Sequence, residues 1–375
     1  MQKSSRRTGV FTNKFLEFKE NLWPNLAFFF YLFLVFTKVF KPDFPYVILV
    51  FYGSLIFFSQ ILFLLTNYPK TLLVSFVYFV FGSYIVAFGD GTMLTPLAIL
   101  SHLGLFTLLV RFKISSGSIR LLIYIYALYC TYQSVYLGIN LNELAGGSRN
   151  LLGWIGLGLG IFYYIVRYRN DEKIDVVTSL VVLFIAIICI GRGNIIGSVA
   201  LFSIILMTKY QNDRLPKQIF IITGILIALL GSIYVFSDFI SEKISYFENK
   251  GLESNERSMI LHAYINKVNA ETLIFGVSPN QYPFTILSGN FHNSFLLGHS
   301  NFGILFIFFA FFIVCGFFYR WKNYRFLKWL LLILCVRSLT DTVSFMGYFD
   351  YLYIFCLVSF FSKKETRNIK TKLGI

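Results

Sequence analysis

The sequence predicts an all-α, polytopic integral membrane protein of about 12 transmembrane helices. Of its 375 residues, 57% are hydrophobic and only 14% are charged, which lies far outside the range of soluble domains. The apolar residues form long unbroken runs, each close to the roughly 17 to 25 residues that cross a hydrocarbon core as a helix. The alternating pattern of membrane β-barrel strands is not visible.

The predicted spans follow one another and are separated mostly by short polar turns. A polar, basic stretch over residues 1–24 comes first, and Trp23-Pro24 marks the entry to the membrane. The predicted spans are 25–40, 45–65, 71–88, 93–110, 119–138, 151–166, 174–190, 194–208, 219–236, 302–319, 326–341 and 345–361. They divide the chain into membrane helices in 1–236, with about nine spans, a large polar loop in 237–301, and about three spans with a polar tail in 302–375.

Positively charged residues predict the orientation of the chain. Twelve spans place both termini on one side of the membrane, and 24 of the 33 lysines and arginines fall on that side. Because cytoplasmic loops are enriched in Lys and Arg, we expect both termini to be cytoplasmic and loop 237–301 to face outward. The net charge of +15 comes from short basic clusters between spans. Orientation explains these clusters better than a nucleic-acid partner does.

Neither a metal site nor a cofactor is predicted. The five cysteines all lie inside apolar runs, where cysteine behaves as a small hydrophobic residue. The sequence lacks an Asp-x-Asp pair, an HExxH motif, a phosphate-binding P-loop and a dinucleotide-binding fingerprint.

Two arginines lie in glycine-containing turns at predicted outer ends of spans. Arg192 stands in Gly191-Arg192-Gly193-Asn194, and Arg149 follows Gly146-Gly147-Ser148. A charge in hydrocarbon costs about 2.5 to 3.5 kcal/mol on insertion scales. Arg192 is therefore expected either to reach phospholipid phosphate or to bind the phosphate or pyrophosphate of a substrate. For Arg149 the alternative to substrate binding is an ordinary loop residue.

An amphipathic helix is predicted from Glu256 to Val268, inside the polar loop. Its apolar face consists of Ile260, Leu261, Tyr264, Ile265 and Val268. Arg257 lies in the first turn, where a cation gains nothing from the helix dipole, so we expect it to serve an anion or a carboxylate. His262 lies elsewhere on the helix and is expected to be a surface residue.

Other polar residues lie near the ends of spans. His292, followed by Asn293, is either a headgroup contact or a general base, since an unperturbed pKa of about 6.5 suits proton removal at neutral pH. His299 competes for that role, whereas His102, in the middle of a span, is expected to be packed or hydrogen-bonded. Arg337 and Asp341, spaced i, i+4, form an ion pair that either clamps the structure or belongs to a site.

In this order, these segments resemble the Wzy/WaaL superfamily of O-antigen polymerases and O-antigen ligases. The resemblance covers residues 140–345 and departs from the commoner pattern at Gly191-Arg192-Gly193, where a Ser/Thr-Arg-Ser/Ala run is more usual. The features that carry it are Gly-Ser-Arg149-Asn150, Gly-Arg192-Gly-Asn194, Glu-Arg257 with Leu273-Ile-Phe-Gly276, His292-Asn-Ser-Phe-Leu with Gly298 and Gly303, and Arg337 with Asp341.

The resemblance implies a membrane glycosyltransferase of the GT-C type in the bacterial inner membrane, with 237–301 as a periplasmic loop. Its substrates would be undecaprenyl-pyrophosphate-linked glycans. A polymerase transfers the growing glycan to an incoming lipid-linked repeat unit, and a ligase transfers the finished glycan to lipid A core. Both release undecaprenyl pyrophosphate without a metal or a nucleotide sugar. Expected partners are membrane lipid, a chain-length regulator and a flippase, and no nucleic acid.

For that chemistry we expect Arg192 and Arg257 to bind the pyrophosphate, with Arg149 in support. A leaving pyrophosphate gains negative charge in the transition state, and fixed guanidinium groups stabilise that charge electrostatically. Arg337 and Asp341 are expected to support the site.

The acceptor hydroxyl must lose its proton as it attacks, which requires a base. We expect His292 to be that base or to orient the acceptor, with Asn293 fixing it and Glu256 as a reserve base. A polymerase is the first hypothesis and a ligase the alternative. A transporter or flippase of lipid-linked glycans belongs to a different class, and would carry its charged residues near mid-membrane.

Overall fold

A computed structural model describes residues 5–88, 94–139, 141–144, 149–210, 255–280, 284, 291–319, 324–345 and 347–361. All regular secondary structure in these ranges is helical. A π-helical turn, Tyr132–Tyr136, extends the fifth helix. The α-helices are α1 (Ser5–Phe40), α2 (Tyr46–Asn67), α3 (Pro69–Phe88), α4 (Leu94–Arg111), α5 (Ser116–Thr131), α6 (Leu141–Leu144), α7 (Arg149–Arg169), α8 (Val177–Ile188), α9 (Arg192–Tyr210), α10 (Asn255–Lys267), α11 (Ala270–Phe275), α12 (Ser294–Phe318), α13 (Arg325–Thr340) and α14 (Tyr351–Phe361).

The prediction of an all-α, polytopic membrane protein is confirmed. Within the described ranges, seven helices are long and apolar enough to cross a membrane. They are Leu22–Phe40, Tyr46–Asn67, Pro69–Ala87, Leu94–Arg111, Asn150–Arg169, Arg192–Tyr210 and Ser294–Phe318. Every predicted span falls on a helix except 219–236, which lies outside the described residues. The count of twelve spans stays a prediction.

Two spans differ from their predicted bounds. The span predicted at 302–319 already begins at Ser294 as α12. Polar residues before 302 suggested a loop, but two of them, His299 and Ser300, are buried within the helix. The span predicted at 345–361 contains helix only from Tyr351 onward. Before it, residues 341–345 and 347–350 are non-helical and largely buried, so we name these nine residues the buried segment. Irregular backbone at membrane depth is tolerated where protein surrounds it.

Helices α4 and α7 form the centre of the bundle. Within their most apolar windows, 67% of α4 and 83% of α7 are buried, against 11% of α3. Helix α4 packs against α1, α2, α3 and α14, and α7 packs against α5, α8 and α9. Small residues allow the closest approach, because a Cβ atom on Gly104 of α4 would lie 2.5 Å from the carbonyl oxygen of Gly53 in α2.

Candidate functional site

The ends of four helices meet at one place, which we call the junction. It consists of Asn150 at the start of α7, Asn194 at the start of α9, Ser294 at the start of α12, and Arg337 and Asp341 at the end of α13. Hydrogen bonds join each of these residues to at least one other. The junction therefore connects segments that are far apart in the sequence.

Arg337 is the central residue of the junction, and its guanidinium group is buried. Its Nε donates to the Asn194 Oδ1 at 2.6 Å, its Nη1 to the Thr340 hydroxyl at 3.1 Å, and its Nη2 to the Asp341 carboxylate at 3.0 Å. A buried charge is tolerated only when it is paired and hydrogen-bonded, and removing one partner of such a pair typically costs about 3–5 kcal/mol. The ion pair that the sequence predicted between Arg337 and Asp341 is present.

Two glycines allow the start of α9 to approach Arg337. A Cβ atom on Gly193 would lie 2.9 Å from the Thr340 hydroxyl, and one on Gly191 would lie 2.6 Å from the Asn194 Nδ2. The Asn194 side chain, which is fully buried, also donates from Nδ2 to the Asn150 carbonyl at 2.8 Å. Close packing against Asn194 and Thr340 therefore explains why residues 191 and 193 are both glycine.

The predicted pyrophosphate-binding arginines of α7 and α9 are placed at the junction by their backbones. Arg192 is the first residue of α9, two positions before Asn194, and its side chain is half-buried. Arg149 is the first residue of α7, directly before Asn150. The side chain of Arg149, like that of the predicted reserve base Glu256, lies outside the described part of the structure.

The predicted catalytic pair His292 and Asn293 precedes the junction residue Ser294. His292 is half-buried and has φ +49°, in the left-handed region that few side chains adopt. The Asn293 Oδ1 caps α12, accepting from the amides of Phe295 at 2.8 Å and Leu296 at 3.3 Å. Asn293 thereby fixes the backbone that carries His292.

Ser294 joins this histidine segment to Asp341. Its hydroxyl donates to the Asp341 carbonyl at 2.6 Å and accepts from the amides of Val343 at 2.9 Å and Ser344 at 3.0 Å. Ser294, Asn194 and Asn150 were not among the predicted site residues. Their signal was their position directly after His292-Asn293, Arg192-Gly193 and Arg149.

Arg257 reaches the same region from the polar loop. Its side chain is exposed on α10, and its positive charge acts on that of Arg337. Helix α10 is held by the buried side chains of Ile260 and Tyr264, which pack with Val277, Phe284 and Phe291. The loop helix thus supplies a second guanidinium group within electrostatic range of the first.

His299, the other candidate for the base, is buried, and both of its ring nitrogens have hydrogen-bond partners. Its Nε2 lies 3.1 Å from the Leu273 carbonyl, which can only accept, so we assign the proton to Nε2. The Nδ1 then accepts from the Tyr264 hydroxyl at 2.7 Å. Burial raises the pKa of Tyr264, which keeps this hydroxyl protonated. His299 therefore docks α10 and α11 on α12.

Helix α12 is broken where α11 docks on it. Gly303 has φ +50° and ψ −135°, and a Cβ atom there would lie 1.8 Å from the Ile274 carbonyl oxygen. Gly276, with φ +89°, would place a Cβ atom 2.5 Å from the carbonyls of His299 and Ser300. Only glycine fits this conformation and this approach. The break thus explains why the Leu273–Gly276 and Gly303 features occur together.

Comparison with protein-family models, curated proteins and solved structures finds no match for this chain.

The junction and its surroundings are suited to binding an anion. Arg192, Arg257 and Arg337 bring three positive charges to this end of the bundle, and Asp341 offsets one of them. Guanidinium groups bind phosphate oxygens in a planar, often bidentate geometry. Within the described ranges, no group of three or more His, Cys, Asp or Glu side chains could hold a metal ion.

Proposed function

We propose that this chain polymerises undecaprenyl-pyrophosphate-linked repeat units of O-antigen or another surface polysaccharide, as a GT-C-type glycosyltransferase of the bacterial inner membrane. One observation carries the proposal. Five elements that bear features of the resemblance come together around Arg337. They are the start of α7, the start of α9, α10, the start of α12 and the end of α13. This convergence supports a shared site for one anionic substrate.

In the proposed reaction, the acceptor hydroxyl of an incoming repeat unit attacks the anomeric carbon of the growing glycan. A glycosidic bond forms as the bond to pyrophosphate breaks, and undecaprenyl pyrophosphate leaves. Arg192 and Arg257, with Arg149 in support, stabilise the charge on the leaving group. The proton of the hydroxyl passes to His292, or to Glu256 as the reserve base.

The experiment replaces Arg192, Arg257 and His292 singly by Ala in cells that depend on this chain for surface polysaccharide. We expect each variant to lose about 100-fold or more of chain extension, the usual effect of losing a transition-state donor or a base. Membrane levels of the protein should not change. The matched controls are Lys267→Ala and His262→Ala, because both residues are exposed on α10.

Gel separation of the surface polysaccharide distinguishes the two reactions of the family. A single repeat unit attached to core identifies a lost polymerase, whereas bare core with accumulated lipid-linked polymer identifies a lost ligase. Full-length ladders from all three variants would refute the site, and equal losses in the two controls would refute its specificity.

A transporter of lipid-linked glycans is the second candidate, and one observation favours it. His102 and Asp350 form a buried ionisable pair, and His102 lies midway along α4. Transporters use ionisable residues at such depth. If purified protein in liposomes forms polymer from lipid-linked repeat units presented on one side only, the transferase is supported. If the protein moves the lipid across the membrane without forming polymer, the transporter is supported.

A further inference from the structure

A second polar cluster lies inside the bundle around His102 and Asp350. His102 belongs to α4 and is 5% exposed, and Asp350, the last residue of the buried segment, is 9% exposed. The His102 Nε2 lies 3.6 Å from the Asp350 Oδ2, which also accepts from the Gly347 amide at 2.8 Å. An ionisable pair inside a membrane bundle is a candidate functional site by default.

Phenol groups from the neighbouring elements surround this pair. Helices α1, α2, α3 and α14 pack against α4. The charged residue of α3 is Lys70, and it lies in the first turn of that helix. The Asp350 charge acts on several of the phenols, and the ring of Tyr351 stacks on that of His102. The phenols are Tyr31 from α1, Tyr46 from α2, Tyr348 from the buried segment, and Tyr351 and Tyr353 from α14.

Several polar atoms of the cluster have no hydrogen-bond partner among the described residues. They are both ring nitrogens of His102 and the hydroxyls of Ser101 and Tyr351, all of them buried. A buried polar group without a partner is destabilising, and each such group needs an explanation. A site that binds and releases a proton explains them, because its groups must donate in one state and accept in the other.

We propose that His102 and Asp350 form a proton-binding site inside the membrane. With a neutral imidazole the pair carries one negative charge, and uptake of one proton by the imidazole converts it to a neutral ion pair. An isolated carboxylate is far more costly to bury than a paired one, so the pair has a physical reason to take up the proton. The step consumes one proton from water and changes no other bond.

The buried segment connects this proton site to the junction. Asp341, which pairs with Arg337, begins the segment, and Asp350 ends it. Between them, the Ser344 hydroxyl bonds to those of Ser338 at 2.8 Å and Tyr353 at 3.2 Å. The buried segment is therefore the stretch of chain through which a change of charge at His102 would reach Asp341. The proton site itself does not depend on which reaction occurs at the junction.

The test follows the full-length protein in lipid nanodiscs by nitrogen NMR of labelled histidine over the range of about pH 5 to 9. The His102→Gln variant assigns the His102 signals, and His262→Gln serves as the exposed control. We expect His102 to titrate in the wild-type protein. In Asp350→Asn its midpoint should move to lower pH by about 1–3 units, the effect of losing a nearby opposite charge. No titration, or an unchanged midpoint, overturns the proposal.

A second measurement covers the case in which Asp350→Asn does not fold. Trp154 contacts the ring of Phe349, next to Asp350, at 5.9 Å between ring centroids. In a variant that keeps only this tryptophan, with Trp23, Trp321 and Trp329 changed to Phe, emission should change with the His102 titration. Adding His102→Gln should abolish that change. Emission that does not vary with pH, or that varies equally without His102, contradicts the proposal.

Discussion

At the scale of single residues, Arg337 shows how a buried charge organises its surroundings. Its three donor groups each have a partner, and two of these partners, Thr340 and Asp341, lie within one turn along the chain. The third, Asn194, is separated from it by 143 residues. The i, i+4 spacing predicted the local pair, but no local pattern predicts a contact over such a distance, so Asn194 was missed.

Replacing Asn194 by Ala should destabilise the fold. The change leaves the Arg337 Nε and the Asn150 carbonyl without their partner, which costs about 1–3 kcal/mol for a buried group and more for a charged one. Thermal unfolding of the purified protein in detergent measures this as a lower midpoint. Asn266→Ala on the exposed side of α10 is the control. Equal midpoints for the two variants would show that the buried amide contributes nothing.

At the scale of elements, the helix predicted over Glu256–Val268 is present as α10, but its apolar face divides into two parts. Ile260 and Tyr264 are buried against the start of α12, whereas Leu261, Ile265 and Val268 are exposed. Periodicity identifies an apolar face, but the width of the partner surface decides how much of that face is covered. This is why the sequence predicted the helix better than its contacts.

Docking of α10 and α11 on α12 should depend on Gly303. In Gly303→Ala the added Cβ atom would lie 1.8 Å from the Ile274 carbonyl oxygen, a backbone atom that cannot turn away. We expect α11 to be displaced and trypsin to cleave faster at Lys267. The control is Gly117→Ala in the first turn of α5, where the nearest atom lies 3.9 Å away. Cleavage at the wild-type rate in Gly303→Ala would contradict this packing.

At the scale of the whole molecule, hydropathy predicted the helical membrane architecture, because a hydrocarbon core leaves few structures for the backbone. It did not predict the buried segment, since Phe345 and Phe349 look like the start of a span. Hydropathy measures burial but not backbone conformation. The orientation of the chain rests on charge alone and stays a prediction.

Cysteine labelling in intact cells tests that orientation. Ser258→Cys, exposed on α10, should react with an impermeant thiol reagent because loop 237–301 is expected to face outward. Lys113→Cys, exposed between α4 and α5, should react only after the membrane is permeabilised. Both variants keep the five natural cysteines, so the unmodified chain gives the background. The reverse labelling pattern would invert the predicted topology.

The short helices beside the junction have a consequence for the surrounding bilayer. Helix α8 has 12 residues and α13 has 16, and both expose large apolar side chains, such as Phe184 and Leu339. At about 1.5 Å per residue they are roughly 18 and 24 Å long, against a hydrocarbon core of about 30 Å. If both helices cross the membrane as the sequence predicts, this hydrophobic mismatch would thin the bilayer locally. The junction would then lie at the floor of a depression in the membrane surface.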